Sequence, residues 1–401
     1  MEKKVLVTAT TFPRWKNDAS PRFVFDLSGR LASQYEITVL APHHNRAEKK
    51  EKMGKLEVIR FAYFKPESLQ RLCYGGGIIP NMKSSFLAKI QMPLLIISEY
   101  FLASRIIKKG KINMLHAHWI LPQGLIGAFL KRKYKIPLLV TIHGSDLFPL
   151  KNKLFRKMQG FVAKNADMIT VNTEATKKEL LGRFPEIANK VKVIPMGVDS
   201  SIFRKRAIKK LREYSKNKIL LFVGRLSDQK GLQYLIDSMD DISRYDKSVK
   251  LLIIGEGSYK KALMQKISNK KLESHVEFLG SLPMQDIAKY HNYADIFVMP
   301  SLATKTGTEA LGLSMLEAMS SGCAVIGTNI GGIPFAIKDG FNGLLVRQKD
   351  SHELSHAVIT LLKDKKKAGE LGNNASKFVR KNYSWEKISK EFSKIYKNLL
   401  R

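Results

Sequence analysis

Residues 299–337 read MPSLATKTGTEALGLSMLEAMSSGCAVIGTNIGGIPFAI, and the rest of the chain can be placed around them. Glu309 and Glu317 stand eight positions apart. Between them the turn Ala310-Leu311-Gly312 opens an apolar helix expected over Leu313–Met319. Gly322 stops that helix, and Ala324–Gly327 reads as the next strand. If every step between the two glutamates were helical, their carboxylates would lie about 12 Å apart along the axis. That is the reach of a nucleotide-sugar from hexose to ribose. The helix start between them offers free N–H groups and a positive dipole end, which suits a phosphate. Glutamates at such places also serve as caps. Glu317, however, is a charge among Ser314-Met315-Leu316 and Ala318-Met319, and a buried lone carboxylate is costly without a polar partner. Two carboxylates can also indicate glycoside hydrolysis, but there an acid and a nucleophile face each other across one bond. A helix start between the acids favours a phosphate instead.

Outward from this stretch the chain alternates strands and helices. In the N-terminal half, strands are expected at Val5–Ala9, Glu36–Ala41, Leu56–Phe61, Met114–His118, Leu138–Ile142, Met168–Asn172 and Val191–Ile194, with helices at 22–33 and 121–134. This is a parallel sheet of six or seven strands with crossover helices. Residues 62–113 look irregular until Phe86–Ile107, a long apolar helix that reads as a core helix or as an acceptor or membrane face. The alternation restarts at Ile219–Val223 after a charged linker and continues to the quoted stretch. Residues 374–399 read as one or two amphipathic helices with Trp385 inside. The domains expected are 1–199, 200–380 and a C-terminal crossover helix at 381–401, which is an α/β chain with two Rossmann-like halves.

Composition narrows the class. The chain has 401 residues, 44% of them hydrophobic, enough for full cores. No uninterrupted apolar run of about eighteen residues occurs, so no membrane span is expected. Two cysteines, Cys73 and Cys323, and no leader-like start suggest a reduced, cytoplasmic protein. The net charge of +34 favours anionic partners, such as lipid headgroups, nucleic acid or phosphorylated substrates, or is simply a lysine-rich surface. Lys108-Lys109, Lys131-Arg132-Lys133 and the run at 151–157 incline the first half to peripheral contact with an anionic membrane face. No nucleic-acid module is present, and no nucleic-acid partner is expected.

Three further groups carry chemistry. Gly224-Arg225 and Lys230-Gly231 follow the first strand of the second half, where open α/β sheets bind ligands. Arg225 and Lys230 bring the positive charge that a diphosphate leaving group needs. His118 and His143, the latter in His143-Gly144-Ser145-Asp146, both end strands of the first half. His116 and His118 lack a third ligand at useful spacing, so no metal and no cofactor are expected.

Taken together, these residues resemble a retaining glycosyltransferase of family 4 with the GT-B architecture. Glu309 and Glu317 match that family's E-x7-E pattern, Gly224-Arg225 with Lys230 its phosphate clamp, and Ile194–Asp199 with Phe203 the segment before its linker. The resemblance implies two Rossmann-like domains facing across a cleft, with the C-terminal helix crossing back to the first. It implies that Arg225 and Lys230 hold the diphosphate, Glu317 the ribose and Glu309 the donor sugar. His118 would contact the transferred sugar, and amides near Ala310, Leu311, Gly312, Leu313 and Ser314 would meet sugar and phosphate. His143, Asp146 and Arg22 would lie on the acceptor side. The chain departs from the pattern in its first loop, Lys16-Asn17-Asp18-Ala19-Ser20-Pro21-Arg22, which lacks a Gly-Gly pair and where Arg22 stands in. It departs again at Glu309-Ala310-Leu311-Gly312, where Glu-Gly-Phe-Gly is usual, and at Phe335, where Glu is usual.

The function implied is metal-independent transfer of a hexose from a UDP- or GDP-sugar to a sugar or lipid-linked acceptor, in polysaccharide or glycolipid synthesis. Two rivals share parts of the pattern. A nucleotide-sugar 2-epimerase has the same architecture, and a non-catalytic binder of anionic polymers would use the charge alone.

Overall fold

The computed structural model describes every residue except 1, 2, 17, 19, 76, 209, 210, 305 and 306. Asn17 and Ala19 of the first loop therefore lie outside the described residues, as do Lys305 and Thr306 of the stretch at 299–337. The chain forms two compact units. One comprises Met1–Pro195 with Ile388–Arg401, and the other Met196–Lys387.

The first unit is built on β1 (Lys4–Thr8), β2 (Glu36–Pro42), β3 (Lys50–Met53), β4 (Leu56–Phe61), β5 (Met114–His118), β6 (Leu138–Ile142), β7 (Met168–Val171) and β8 (Val191–Val193). Their order across the sheet is β3-β4-β2-β1-β5-β6-β7-β8. All neighbours are parallel except β3 with β4. Strands such as β5 and β6 are buried throughout, as parallel strands covered on both faces must be. The sheet has eight strands where six or seven are expected from the sequence. The missed strand is β3, Lys50-Glu51-Lys52-Met53. Its polar sequence hides it, but it pairs on one side only and keeps its charges at the edge, with Lys50 2.8 Å from Glu57 and Glu51 2.6 Å from Arg60.

Residues 62–113 are more regular than they look. They hold the helices Ile78–Ser84 and Phe86–Gly110. The second has 25 residues and is N-capped by the Ser85 hydroxyl, which accepts from the Ala88 N–H. By length and composition it is the one helix among the described residues long and apolar enough to cross a membrane. Lys89, Gln91 and Glu99 interrupt the apolar run without lowering the average much. The expected helix over 121–134 begins only at Leu125, because Leu121 is extended within an irregular turn at Ile120–Gly124.

Residues from Ile388 onward complete this first unit. Tyr396 hydroxyl lies 2.7 Å from His116 Nδ1, and Phe392 stacks on the same imidazole. Lys192 pairs with Glu391 at 2.6 Å.

The second unit holds β9 (Lys218–Val223), β10 (Val249–Ile254), β11 (Val276–Gly280), β12 (Ile296–Met299), β13 (Ala324–Thr328) and β14 (Leu344–Val346). The order is β11-β10-β9-β12-β13-β14, all parallel. The chain runs outward from β9 to β11 and then returns to β12 on the other side of β9. That reversal makes the carboxyl ends of β9 and β12 the topological switch point, where such sheets bind ligands. This unit starts at Met196, four residues before the boundary read from sequence. Val198 N–H donates to Tyr383 carbonyl, and a Cβ on Gly197 would come within 2.5 Å of the Trp385 ring, so this segment is held by the end of the same unit. Trp385 opens the helix Trp385–Leu399 rather than lying inside one, after a separate helix Lys365–Tyr383.

Candidate functional site

The second unit gathers the clamp and the glutamates at its switch point. After β9, the Gly224 N–H donates to Ile254 carbonyl and the Leu226 N–H to Glu256 carbonyl. The loop Gly255-Glu256-Gly257 therefore lies directly on Gly224-Arg225-Leu226. The approach needs glycine. A Cβ at Gly255 would sit 1.9 Å from the Gly224 carbonyl oxygen, and one at Gly257 2.1 Å from that of Leu226. Asp228–Lys230 then forms one 3-10 turn, closed by Gly231 in the left-handed region at φ 67°. A Cβ there would lie 1.8 Å from the Pro300 carbonyl oxygen. The turn after β9 is thus pressed against the segment after β12, and Lys230 is aimed along it.

Lys230 Nζ lies 2.5 Å from Glu309 Oε2. The same carboxylate accepts from the Ser301 hydroxyl at 3.0 Å and from the backbone N–H of Gly312. Burial pushes the Glu309 carboxyl up. The Lys230 ammonium and the hydrogen bonds outweigh it and hold the group below the usual carboxylate range. Its backbone is fixed as well. Gly332 N–H donates to the Glu309 carbonyl, and a Cβ on Gly331 would stand 2.2 Å from that oxygen. Arg225 projects outward from the same loop and lies in the electrostatic field of Glu309.

Glu317 belongs to the helix Leu313–Ser320, whereas Glu309 does not. The all-helical spacing of the two carboxylates is therefore corrected. Gly312, at φ 73°, breaks the path and starts the helix, leaving its first amides free beside Glu309. Ser314 hydroxyl is spent on the Val223 carbonyl at 2.7 Å, which ties the helix start to β9. Leu311 is buried, so only its backbone is available to a ligand, while Ala310 and Leu313 are half-buried. Glu317 Oε2 lies 3.9 Å from Nε2 of His291, a buried ring edge-on to Phe203.

In the first unit, His118 and His143 end β5 and follow β6, and they meet. His118 Nδ1 is 3.0 Å from His143 Nε2, and Asn172 Nδ2 is 3.3 Å from His143 Nδ1. With the Asn172 amide so assigned, each group donates to the next and the remaining N–H sits on His118 Nε2. That nitrogen is buried and has no hydrogen-bond partner among the described residues. Burial holds both imidazoles neutral, pushing His118 well below its ordinary value and His143 down to about 3. Asp146 braces the pair, accepting from the Ile120 N–H at 2.5 Å and the His143 N–H at 3.1 Å. Burial raises its carboxyl to about 6 against those bonds. Phe23 and Trp119 each lie 4.8 Å from the His143 ring.

His116 is committed elsewhere. Its second ring nitrogen, Nε2, lies 2.7 Å from Thr141 Oγ1, so both of its nitrogens are engaged. Arg22 immediately precedes the helix Phe23–Leu31 without a capping bond from its side chain, its guanidinium 3.6 Å from Asp26 and above the Phe25 ring. The first loop is shaped by Asp18, which takes two bonds from the Arg14 guanidinium. Burial would raise this carboxyl, but the Arg14 bonds bring it to about 2.

The sequence of the second half matches the model described as "Glycosyl transferases group 1" over residues 203–378, and that of the first half matches "Glycosyltransferase Family 4" over 20–202. The chain is 31% identical to the uncharacterized glycosyltransferase MJ1178 of Methanocaldococcus jannaschii, over 86% of this chain and 92% of that one. The chain belongs to the family 4 glycosyltransferases. Its fold is GT-B. Sucrose-phosphate synthase from Thermosynechococcus elongatus superposes with a TM-score of 0.79 at 20% identity, covering 99% of each chain. Anabaena HepE in complex with UDP-glucose superposes with a TM-score of 0.76 at 18% identity, over 98% of this glycosyltransferase and 99% of HepE.

Several structural residues of the glycosyltransferase were not legible as site residues. Gly255 and Gly257 shape the clamp loop, Ser301 and Gly331 contact Glu309, and His291 lies beside Glu317. Only the glycines left a trace in the sequence, as paired glycines after strand-like runs.

Proposed function

We propose that the protein is a retaining, metal-independent hexosyltransferase that uses a nucleotide diphosphate sugar. The observation that carries this reading is the meeting of Lys230 with Glu309 beside the helix start at Gly312. A sugar diphosphate presents hydroxyls at one end and two phosphates next to them. A carboxylate with an adjacent ammonium and free amides matches that order of charges. Glu309 would accept from donor sugar hydroxyls. Lys230 and Arg225 would neutralise the diphosphate, and Glu317 would accept from the ribose. UDP-glucose bound to HepE makes a UDP-sugar the first donor to try.

In the reaction proposed, the bond from the anomeric carbon to the diphosphate breaks and its electron pair stays on the phosphate oxygen. The acceptor hydroxyl attacks the face the diphosphate is leaving, and its proton passes to that phosphate oxygen. Configuration is kept, and no side chain has to act as nucleophile. The clamp's task is to stabilise charge growing on the leaving group. His118, as a neutral imidazole, offers one hydrogen bond to a sugar hydroxyl rather than a charge. The acceptor class proposed is a sugar or lipid-linked sugar hydroxyl.

The test is a thermal-shift and calorimetric panel of UDP, GDP and ADP with their sugars, followed by turnover on supplied acceptors with product stereochemistry read by NMR. Stabilisation by one nucleotide-sugar, and transfer with the anomer unchanged, is expected. Conversion of the donor without any acceptor would replace this reading with an epimerase. Binding to polyanions alone, lost in moderate salt, would replace it with a non-catalytic binder.

A further inference from the structure

We infer that the helix Phe86–Gly110 is a docking surface for an anionic lipid bilayer, lying in the plane of the interface. The helix packs Ala88, Leu95, Ala103 and Ile107 into the core, and it is apolar on its outward side as well. Its polar side chains Gln91 and Glu99 are fully buried, Gln91 bonded to the Leu69 carbonyl and the Arg71 N–H, and Glu99 to Gln123. Its outward side carries Phe86, Ile90, Leu94, Ile97 and Phe101, of which Phe86 is 76% and Phe101 66% exposed. These five recur at steps of four, four, three and four, which on a helix is one stripe about 80° wide. Scattered exposed apolar residues need no explanation, but a continuous stripe of them does.

Charge decides the occupant. Glu99 is the only acidic residue on the helix, and it faces inward. Lys89, Arg105, Lys108 and Lys109 are exposed around the stripe. Lys133 of the neighbouring helix Leu125–Tyr134 lies 5.7 Å from the Tyr100 ring and adds a further cation beside this helix. Two copies meeting through this stripe would bring like charges together. An anionic bilayer takes the apolar side chains and pairs with the cations around them. The helix lies flat because its inner face is anchored. Ala88, Leu95 and Ala103 belong to the unit's core, and Gln91 and Glu99 would have to leave their partners for it to span.

The surface extends beyond the donor chemistry and does not depend on it, so the two fail separately. The full chain is sedimented with vesicles of phosphatidylcholine, alone or with about one-third phosphatidylglycerol, at near-physiological salt. Binding only to the anionic vesicles is expected. Phe86→Ser with Phe101→Ser should lower the partition coefficient about tenfold or more, and Lys108→Glu with Lys109→Glu should also weaken it. Both phenylalanines are exposed, so melting temperature and nucleotide affinity should hold in the double variant. No binding to anionic vesicles would overturn the inference. So would undiminished binding by the phenylalanine variant, which would mean adsorption by net charge. A dimer by light scattering that the same variant dissolves, without vesicle binding, would assign the stripe to a second copy. Retention in membranes after alkaline washing would make the helix a span instead.

Discussion

Lys230 and Glu309 form an ion pair although 79 residues separate them in sequence. The β9-to-β12 neighbourhood brings them together, and Gly231 pressed on the Pro300 carbonyl sets the direction of approach. Lys230 keeps the buried Glu309 charged. Its removal therefore affects two groups at once. Lys230→Ala should lower kcat by roughly 10²–10³ through lost charge stabilisation. It should also let burial raise the Glu309 carboxyl, so the acid limb of the kcat/KM profile moves to higher pH. A variant that loses turnover with an unmoved acid limb would separate the clamp from Glu309.

Gly331→Ala tests whether the Glu309 backbone must be held. The new methyl would stand 2.2 Å from the Glu309 carbonyl oxygen, and Gly331 is at φ 54°. The loop must shift, and donor affinity should fall at least tenfold by calorimetry. The melting temperature should fall as well, by an amount equivalent to about 1–3 kcal/mol.

The chain Asn172, His143, His118 has a direction, and Asn172→Asp should disturb it. An aspartate cannot donate to His143 Nδ1, and it favours the protonated imidazole, so the His143 pKa should rise from about 3. Turnover should drop about tenfold and gain a new pH dependence, while nucleotide affinity in calorimetry stays unchanged. Unaltered kcat across pH would leave this triad a packing feature only.

Glu99 makes a pH prediction for stability. Burial raises its carboxyl from 4.5 to about 8, with the Gln123 bond opposing. The folded state thus holds a proton that the unfolded chain releases near its ordinary value. The contribution is fully present below about pH 4.5 and is lost as pH rises toward 8. Glu99→Gln removes that loss. The variant should be more stable by on the order of 3 kcal/mol at pH 7, with the difference vanishing near pH 4 in thermal melts.

The parts of the fold that follow from local pattern were legible in the sequence. Buried strands such as Leu138–Ile142 and Ile219–Val223 are apolar throughout, and the crossover helices between them have helical periodicity. Lys50–Met53 was not legible because an edge strand with charged side chains looks like a loop. Phe86–Gly110 was legible as a helix but not in its orientation. The helix is apolar on both sides, and Gln91 and Glu99 join Ala88, Leu95 and Ala103 on the inward one, so the pattern alone did not show which apolar side faces out. At the site, Glu309, Glu317, Arg225 and Lys230 were marked by residue type and spacing. Their geometry was not, because Gly312 ends the helical path that the spacing suggested. Ser301 and His291 carry no local signal. They matter because they meet the two glutamates, Ser301 at Glu309 and His291 at Glu317.

The bond between Tyr396 and His116 has a consequence for how the protein is made. β5, at the centre of the first sheet, has its buried imidazole completed by a residue that is synthesised only after the whole second unit. Until residues 388–401 have been made, His116 keeps its bond to Thr141 and lacks the one to Tyr396. The domain begun first is thus the one whose residues are completed last.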